Sequence, residues 1–199
     1  MAGDDDADWR SVFMGLAFDG PDRLFASEGN SGRVRILNPT SGKTEARLEL
    51  NQGGVSDSYS GDLAYDRRRG LLYVLDQANF RVAIFDTRRR RLVSSVRVGR
   101  LPFAMALAPN GQRLYITNIG MFEYKPIPGA DRKRAKETGL PKPAFPFPSP
   151  EAEKGVGTVP GLGSPNAPEA NSLAIVDVAD RAAAKLLRFI PTGVPFGAD

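Results

Sequence analysis

The sequence predicts an all-β protein of about three four-stranded antiparallel sheets, because three segments of similar pattern follow one another along the chain. The segments comprise residues 15–50, 61–99 and 102–193. In each, four short apolar or alternating stretches are separated by turns rich in Gly, Asn, Asp or Arg, as in an antiparallel meander. Four strands in about 40–50 residues is the size of one propeller blade. We therefore predict a partial β-propeller of about three blades within residues 11–199.

The spacing between corresponding residues puts the three segments in one alignment. The second strands carry an aromatic residue and the third strands end at an Asn or Asp; these residues are Phe25 and Asn38, Tyr73 and Asp86, and Tyr115 and Asp177. The two positions are 13 residues apart in the first two segments and 62 apart in the third. An insertion of 49 residues between the second and third strands of the third blade accounts for the difference.

Each strand also has a local signal. The first strands are apolar stretches at residues 16–18, 63–65 and 105–107, and the second strands lie at 24–26, 72–74 and 114–116. The third strands alternate up to the Asn or Asp turn, and a fourth follows, as at residues 91–98.

The inserted loop, residues 121–170, differs in composition from the blades. It holds ten of the sixteen prolines in the chain, so we expect it to lack regular structure of its own. Loops of this length in a compact domain are usually functional or disordered. Two interpretations stay open, a lid or interdomain contact and a disordered insert.

Composition excludes several kinds of chemistry. The 199 residues contain no cysteine and no histidine, which excludes disulfides, thiolate catalysis, the Ser-His-Asp arrangement and most transition-metal sites. The formal net charge of +4 is small, and the basic residues are scattered along the sequence. We therefore expect no nucleic-acid partner. No apolar run is long enough to span a membrane. Residues 1–10 form an acidic tail unlike a signal peptide.

The repeat resembles a known family at specific residues. The second segment contains Leu-Tyr-Val (72–74), Ile-Phe-Asp-Thr (84–87) and Val-Arg-Val-Gly-Arg-Leu-Pro (96–102), and the third contains Leu-Tyr-Ile-Thr-Asn (114–118). These stretches resemble the YVTN-type β-propeller repeat of bacterial and archaeal proteins. The first segment departs from it, with Phe-Ala-Ser-Glu at 25–28 and Asn38 in place of Asp.

The resemblance carries expectations about the whole protein. The insertion is similar to a loop in a subgroup whose propeller precedes an alkaline-phosphatase-like phosphoesterase domain, and the family implies a periplasmic or extracellular location. Residues 194–197 (Val-Pro-Phe-Gly) are similar to 101–104 (Leu-Pro-Phe-Ala), the entry to the third blade. We therefore expect a part of a longer exported protein, whose partners are further blades or a downstream domain. Three blades cannot close a ring, so self-association through exposed blade faces is also expected.

Glu28, Asp76 and Asn118 are the candidate ligand-binding residues, because each lies three positions after the blade aromatic. Carboxylate and amide oxygens gathered on one face of a propeller suit a hard cation such as Ca²⁺. The other interpretation, which we favour, is that they satisfy backbone groups at the turn after the second strand. We expect no catalytic residue and no other cofactor.

Two basic runs, 67–69 and 88–91, form a further candidate as a phosphate or polyanion site. Both fall in predicted hairpin turns and lack interleaved aromatics for base stacking, so we interpret them as solvated turns.

Three functions follow from these observations. The first is a non-catalytic propeller scaffold that presents surfaces to a ligand or a partner domain, and the second is the propeller half of a phosphoesterase. The third is a propeller enzyme, a metal-dependent lactonase or a quinoprotein-like dehydrogenase. A lactonase needs a central cluster of acids and amides, for which this chain offers only Glu28, Asp76 and Asn118.

Overall fold

Three four-stranded antiparallel sheets make up most of the described chain. The computed structural model describes residues 14–119, 122–126, 156–160 and 172–192. Blade I contains β1 (Leu16–Phe18), β2 (Leu24–Ser27), β3 (Arg33–Leu37) and β4 (Thr44–Glu49). Blade II contains β5 (Ser60–Asp66), β6 (Leu71–Asp76), β7 (Arg81–Asp86) and β8 (Arg91–Arg97). Blade III contains β9 (Pro102–Leu107), β10 (Arg113–Asn118), β13 (Ser172–Asp177) and β14 (Lys185–Pro191). The predicted fold class is confirmed.

The strand register repeats from blade to blade. The aromatic of each second strand lies between an alanine of the first strand and an isoleucine of the third: Ala17–Phe25–Ile36, Ala64–Tyr73–Ile84 and Ala106–Tyr115–Ile175. A register shift follows the isoleucine in all three blades, where the fourth strand has one extra residue. The alignment made from sequence spacing is therefore the alignment of the structure.

The insertion enters and leaves blade III between two paired residues. Asn118 ends β10 and lies opposite Ser172, the first residue of β13. The expectation that the insertion lacks regular structure is wrong at two places, because β11 (Phe122–Pro126) and β12 (Val156–Pro160) pair as an antiparallel ladder. Both segments are rich in aromatic or β-branched residues, which favour strands despite the nearby prolines. The remainder of 121–170 and the acidic tail 1–10 lie outside the described residues.

Two apolar cores lie between the blades, one on each face of blade II. The first joins blades I and II and contains Phe25, Val34, Ile36, Leu48, Leu50, Leu63, Leu72, Val74, Ala83 and Phe85. The second joins blades II and III and contains Leu71, Tyr73, Leu75, Val82, Ile84, Val96, Val98, Leu114, Ile116, Ala174, Val176 and Val178. Every residue of β6 and β7 is buried. The sheets thus stack face to face, and each blade is stabilised by the next.

The aromatic residues of the second strands show that blades I and II each pack their aromatic side against the next blade in the sequence. Phe25 packs against blade II and Tyr73 against blade III, and both side chains are completely buried. Tyr115, at the same position of blade III, is 38% exposed. Blade III therefore presents the face that, in blades I and II, is covered by the following blade.

Candidate functional site

The three candidate residues lie at the same end of their blades, where the second strand ends. Asp76 and Asn118 are the last residues of β6 and β10, and Glu28 directly follows β2. Each side chain is buried and lies opposite the start of the third strand of its own blade. The insertion also leaves from this end, since it replaces the short turn between the second and third strands.

Asp76 fixes the connection between blades I and II. Its carboxylate accepts hydrogen bonds from the Ser58 hydroxyl at 2.8 Å, from the backbone N–H of Tyr59 at 3.1 Å and from the Asn79 amide. It also forms an ion pair of 2.9 Å with Arg81, which in turn donates to the carbonyl of Leu50. A buried carboxylate with this many donors holds the linker and the turn in one geometry.

Glu28 lies among three arginines of blade I. Its carboxylate oxygens are 3.4 Å from Arg33, 2.5 Å from Arg35 and 3.7 Å from Arg47. The Glu28–Arg33 pair occupies the position of Asp76–Arg81 in blade II, and Asn118 and Ser172 occupy it in blade III, where the Asn118 amide donates to the Ser172 hydroxyl at 3.3 Å. The three residues therefore share a structural role, which is to close the hairpin between the second and third strands.

The arginine contacts of Glu28 and Asp76 bear on whether these carboxylates could bind Ca²⁺. Both carboxylates already face guanidinium groups, and a cation would have to displace or outcompete those positive charges. Within the described ranges, no group of three or more acidic residues is placed to hold a metal ion. The contacts support the structural interpretation of Glu28, Asp76 and Asn118, and a Ca²⁺ titration is the direct test of the other.

At the opposite end of the blades, Arg69 connects blades II and III. Its guanidinium forms an ion pair of 2.6 Å with Asp66 and donates to the Tyr73 hydroxyl at 2.8 Å. It also donates to the carbonyls of Val178, at 2.7 Å, and Gly111 in blade III. The interpretation of run 67–69 as a solvated turn is thus wrong for Arg69. The turn placement itself is correct, and Arg67 and Arg68 are exposed.

The turn residues that end the third strands bind the backbone that follows them. The side-chain oxygen of Asn38 accepts from the backbone N–H groups of residues 40 and 41, and that of Asp86 from residues 88 and 89. Asp177 accepts from the N–H of residue 179. These bonds replace ladder hydrogen bonds at the point where the chain reverses.

Asp66, Tyr73 and Asp86 are among the described groups whose pKa values are shifted, and each shift has a clear cause. Donation from the backbone N–H of Arg89 lowers the pKa of Asp86, aided by the Arg89 guanidinium and opposed by burial. Burial favours the neutral form of Asp66, but donation from the backbone and side chain of Arg69 outweighs it and lowers that pKa too. Burial raises the pKa of Tyr73 to about 12, so the hydroxyl is neutral where it accepts from Arg69.

These two lowered carboxyl pKa values predict acid sensitivity. Stability from Asp66 and Asp86 is present above their usual pKa of 3.8 and is lost as the pH falls through their lower folded values. In urea titrations, the free energy of unfolding should decrease as the pH is lowered below about 4. The decrease should be less steep in Asp86→Asn, which keeps an acceptor oxygen but does not titrate. Asp22→Asn, at an exposed site, is the control. An unchanged acid slope in Asp86→Asn would contradict the assignment.

A cleft between blades II and III lies beside the turn that contains Arg67 and Arg68. It has a volume of about 420 Å³ and is lined by residues 65–68 and 107–111. Arg68 donates to the carbonyl of Asn110 across it. No sequence signal indicates the cleft, because its walls come from two turns of different blades.

Solved structures of low sequence identity share this arrangement. Hydrazine synthase of Kuenenia stuttgartiensis matches with a TM-score of 0.58 and 14% identity, over 90% of this chain and 36% of its own. The periplasmic gluconolactonase of Pseudomonas aeruginosa matches with a TM-score of 0.59 and 15% identity, over 93% and 41%. A protein of unknown function from Desulfotomaculum acetoxidans matches with a TM-score of 0.52 and 13% identity, over 92% and 43%. The fold is that of β-propeller blades.

These likenesses establish the fold alone. The chain spans less than half the length of each of the three structures. No protein-family model matches the sequence, and no curated protein matches it either. Among the described residues, no helix is long and apolar enough to cross a membrane.

Proposed function

We propose that this chain is a non-catalytic β-propeller scaffold whose blade III receives a further four-stranded sheet of the same kind. The observation that carries the proposal is the exposure of Tyr115, whose counterparts Phe25 and Tyr73 are each covered by the next blade. The neighbours of Tyr115 within the sheet are the same as those of Tyr73, an alanine and an isoleucine. The two tyrosines differ in that Tyr73 is covered by the next blade and Tyr115 is not.

We define the open face of blade III as Tyr115, Leu173 and Ile190, of which Tyr115 and Ile190 are 38% and 37% exposed, whereas Ile175 on the same side is buried. Its residues have the apolar chemistry of the two faces already buried. The opposite side of the same strands, including Leu114, Ile116 and Val176, packs into the core against blade II. Burying a fully exposed large apolar side chain contributes about 1.5–3 kcal/mol, and Tyr115 and Ile190, at 38% and 37% exposed, would gain a part of that. A further sheet therefore gains stability by continuing the stack, as repeat units do with their neighbours.

The sheet that fits this face resembles the face of blade II that covers Phe25. That face presents Leu63, Leu72, Val74, Ala83 and Phe85. Residues of this kind, in the same register, would accept Tyr115 between them. The resemblance to the YVTN-type repeat supports such a partner in a longer, exported protein, with any phosphoesterase chemistry in another domain.

An enzyme is the competing function. A propeller lactonase would use the end of the blades where Glu28, Asp76 and Asn118 lie. The carboxylates of Glu28 and Asp76 already face Arg33 and Arg81, and the amide nitrogen of Asn118 donates to the Ser172 hydroxyl. Lactone hydrolysis in the presence of Ca²⁺, above a blank of metal alone, would overturn the scaffold proposal.

Sedimentation velocity over a wide range of protein concentration tests the scaffold surface. We expect reversible association as concentration rises, and its loss in Tyr115→Lys with little change in melting temperature. Phe18→Lys is the matched control, because Phe18 is an exposed aromatic on the outer face of blade I. A monomer with a cooperative melt at every concentration would contradict the proposal, as would equal loss of association in both variants.

A further inference from the structure

The cleft between blades II and III has the size and the mixed lining of a small-molecule site. Its volume of about 420 Å³ lies within the range of roughly 300–1,000 Å³ that ligand pockets have. The wall from blade III begins with the apolar residues 107–109, and the wall from blade II carries Arg67 and Arg68. Ligand pockets combine an apolar lining with a few polar groups that fix the orientation of the ligand. The cleft has this division between its two walls.

Arg69 holds the two walls of the cleft together. Its guanidinium is paired with Asp66 in blade II and donates to the carbonyls of Gly111 and Val178 in blade III. Gly111 has a φ of 73°, and a Cβ at this position would lie 2.9 Å from Oδ2 of Asp66. A glycine is therefore needed where the two turns approach each other beside the cleft. A site whose walls are already fixed loses little entropy when a ligand binds.

The guanidinium of Arg68 is the group of the cleft that is best placed to bind an anion. The carboxylate of Asp66 is already paired with Arg69 at 2.6 Å, and Arg67 lies 3.4 Å from the carboxylate of Asp19. Arg68 is exposed and donates to the carbonyl of Asn110 at 3.4 Å. This distance is longer than that of an ordinary N–H···O hydrogen bond. The guanidinium can therefore turn to a stronger acceptor at little cost.

We propose that the cleft binds a small organic phosphate, a phosphate monoester with an apolar body. Arg68 binds the phosphate through paired hydrogen bonds, as planar guanidinium groups do, and residues 107–109 pack against the apolar body. Arg67 and Arg68 together match the nearly double negative charge of a phosphate monoester at neutral pH better than the single charge of a carboxylate. The site lies at the end of the blades opposite to Asp76 and is independent of what covers blade III.

Isothermal titration calorimetry with phenyl phosphate tests this site. We expect one site per chain, with binding weaker by about ten-fold or more in Arg68→Gln and by a smaller factor in Arg67→Gln. Both side chains are exposed, so each variant should keep the circular dichroism spectrum of the wild type. Arg91→Gln is the matched control, because Arg91 is exposed at the same end of blade II but does not line the cleft. Tyr115→Lys should also bind as wild type, which separates this site from association through blade III.

Two further probes test the chemical class of the ligand. Inorganic phosphate lacks the apolar body and benzoate carries a single negative charge, so both should bind more weakly than phenyl phosphate. The proposal is overturned if phenyl phosphate does not bind, or if it binds equally to the wild type and to Arg68→Gln. An equal loss of affinity in Arg91→Gln would overturn it by assigning the binding to the basic end of blade II in general. Either probe binding as tightly as phenyl phosphate would overturn the assigned class.

Discussion

Replacement of Asp76 by alanine is expected to lower the free energy of unfolding by about 3–5 kcal/mol. The change leaves the Arg81 guanidinium, which is 6% exposed, without its carboxylate. It also removes the acceptor for the Ser58 hydroxyl and the N–H of Tyr59. The linker between blades I and II then loses its attachment to blade II. Chemical unfolding monitored by circular dichroism measures the loss.

Two further variants show whether the buried charge causes this loss. Asp22→Ala removes an exposed carboxylate and should change stability by less than about 0.5 kcal/mol. The double variant Asp76→Ala/Arg81→Leu removes both charges and should recover part of the loss, since an unpaired buried charge costs more than an absent pair. A double variant less stable than Asp76→Ala would contradict this explanation.

Tyr73→Ala is expected to cost about 3–5 kcal/mol, whereas Tyr115→Ala should cost about 1 kcal/mol or less. Tyr73 is completely buried between blades II and III, and its hydroxyl accepts from Arg69 at 2.8 Å. Tyr115 occupies the same position of its blade but is 38% exposed. Both values are to be measured by urea unfolding at low protein concentration, where we expect little association.

The comparison is matched because the two tyrosines have the same neighbours in their sheets. Each lies between an alanine and an isoleucine, Ala64 and Ile84 for Tyr73 and Ala106 and Ile175 for Tyr115. The difference in cost therefore measures the covering blade. Equal costs in dilute solution would mean that the blade III face is already covered.

The blade architecture was predictable because its signals are local. Alternation of apolar residues and the Asn and Asp turns specify each strand within a few residues, and Asn38, Asp86 and Asp177 bind the backbone two or three positions onward. Repetition then places the strands in register, so the insertion could be located from spacing alone.

The polar contacts between blades were not predictable in this way. Arg69 binds a carbonyl 109 residues away, and no local pattern separates it from its exposed neighbours Arg67 and Arg68. The meeting of Arg33, Arg35 and Arg47 at Glu28 depends on the register of three strands, one of which is shifted by a bulge. Glu28, Asp76 and Asn118 lie at or directly after the end of the second strand, a position that their spacing indicates, but their partners became apparent only from the third strands.

Hydroxyl-radical footprinting of the dilute, folded chain tests most directly whether blade III presents an open face. The labels on Phe25, Tyr73 and Tyr115 are compared by mass spectrometry. We expect rapid oxidation of Tyr115 with protection of the other two, and protection of Tyr115 as the chain associates at higher concentration. Protection of Tyr115 equal to that of Tyr73 in the dilute monomer would contradict it.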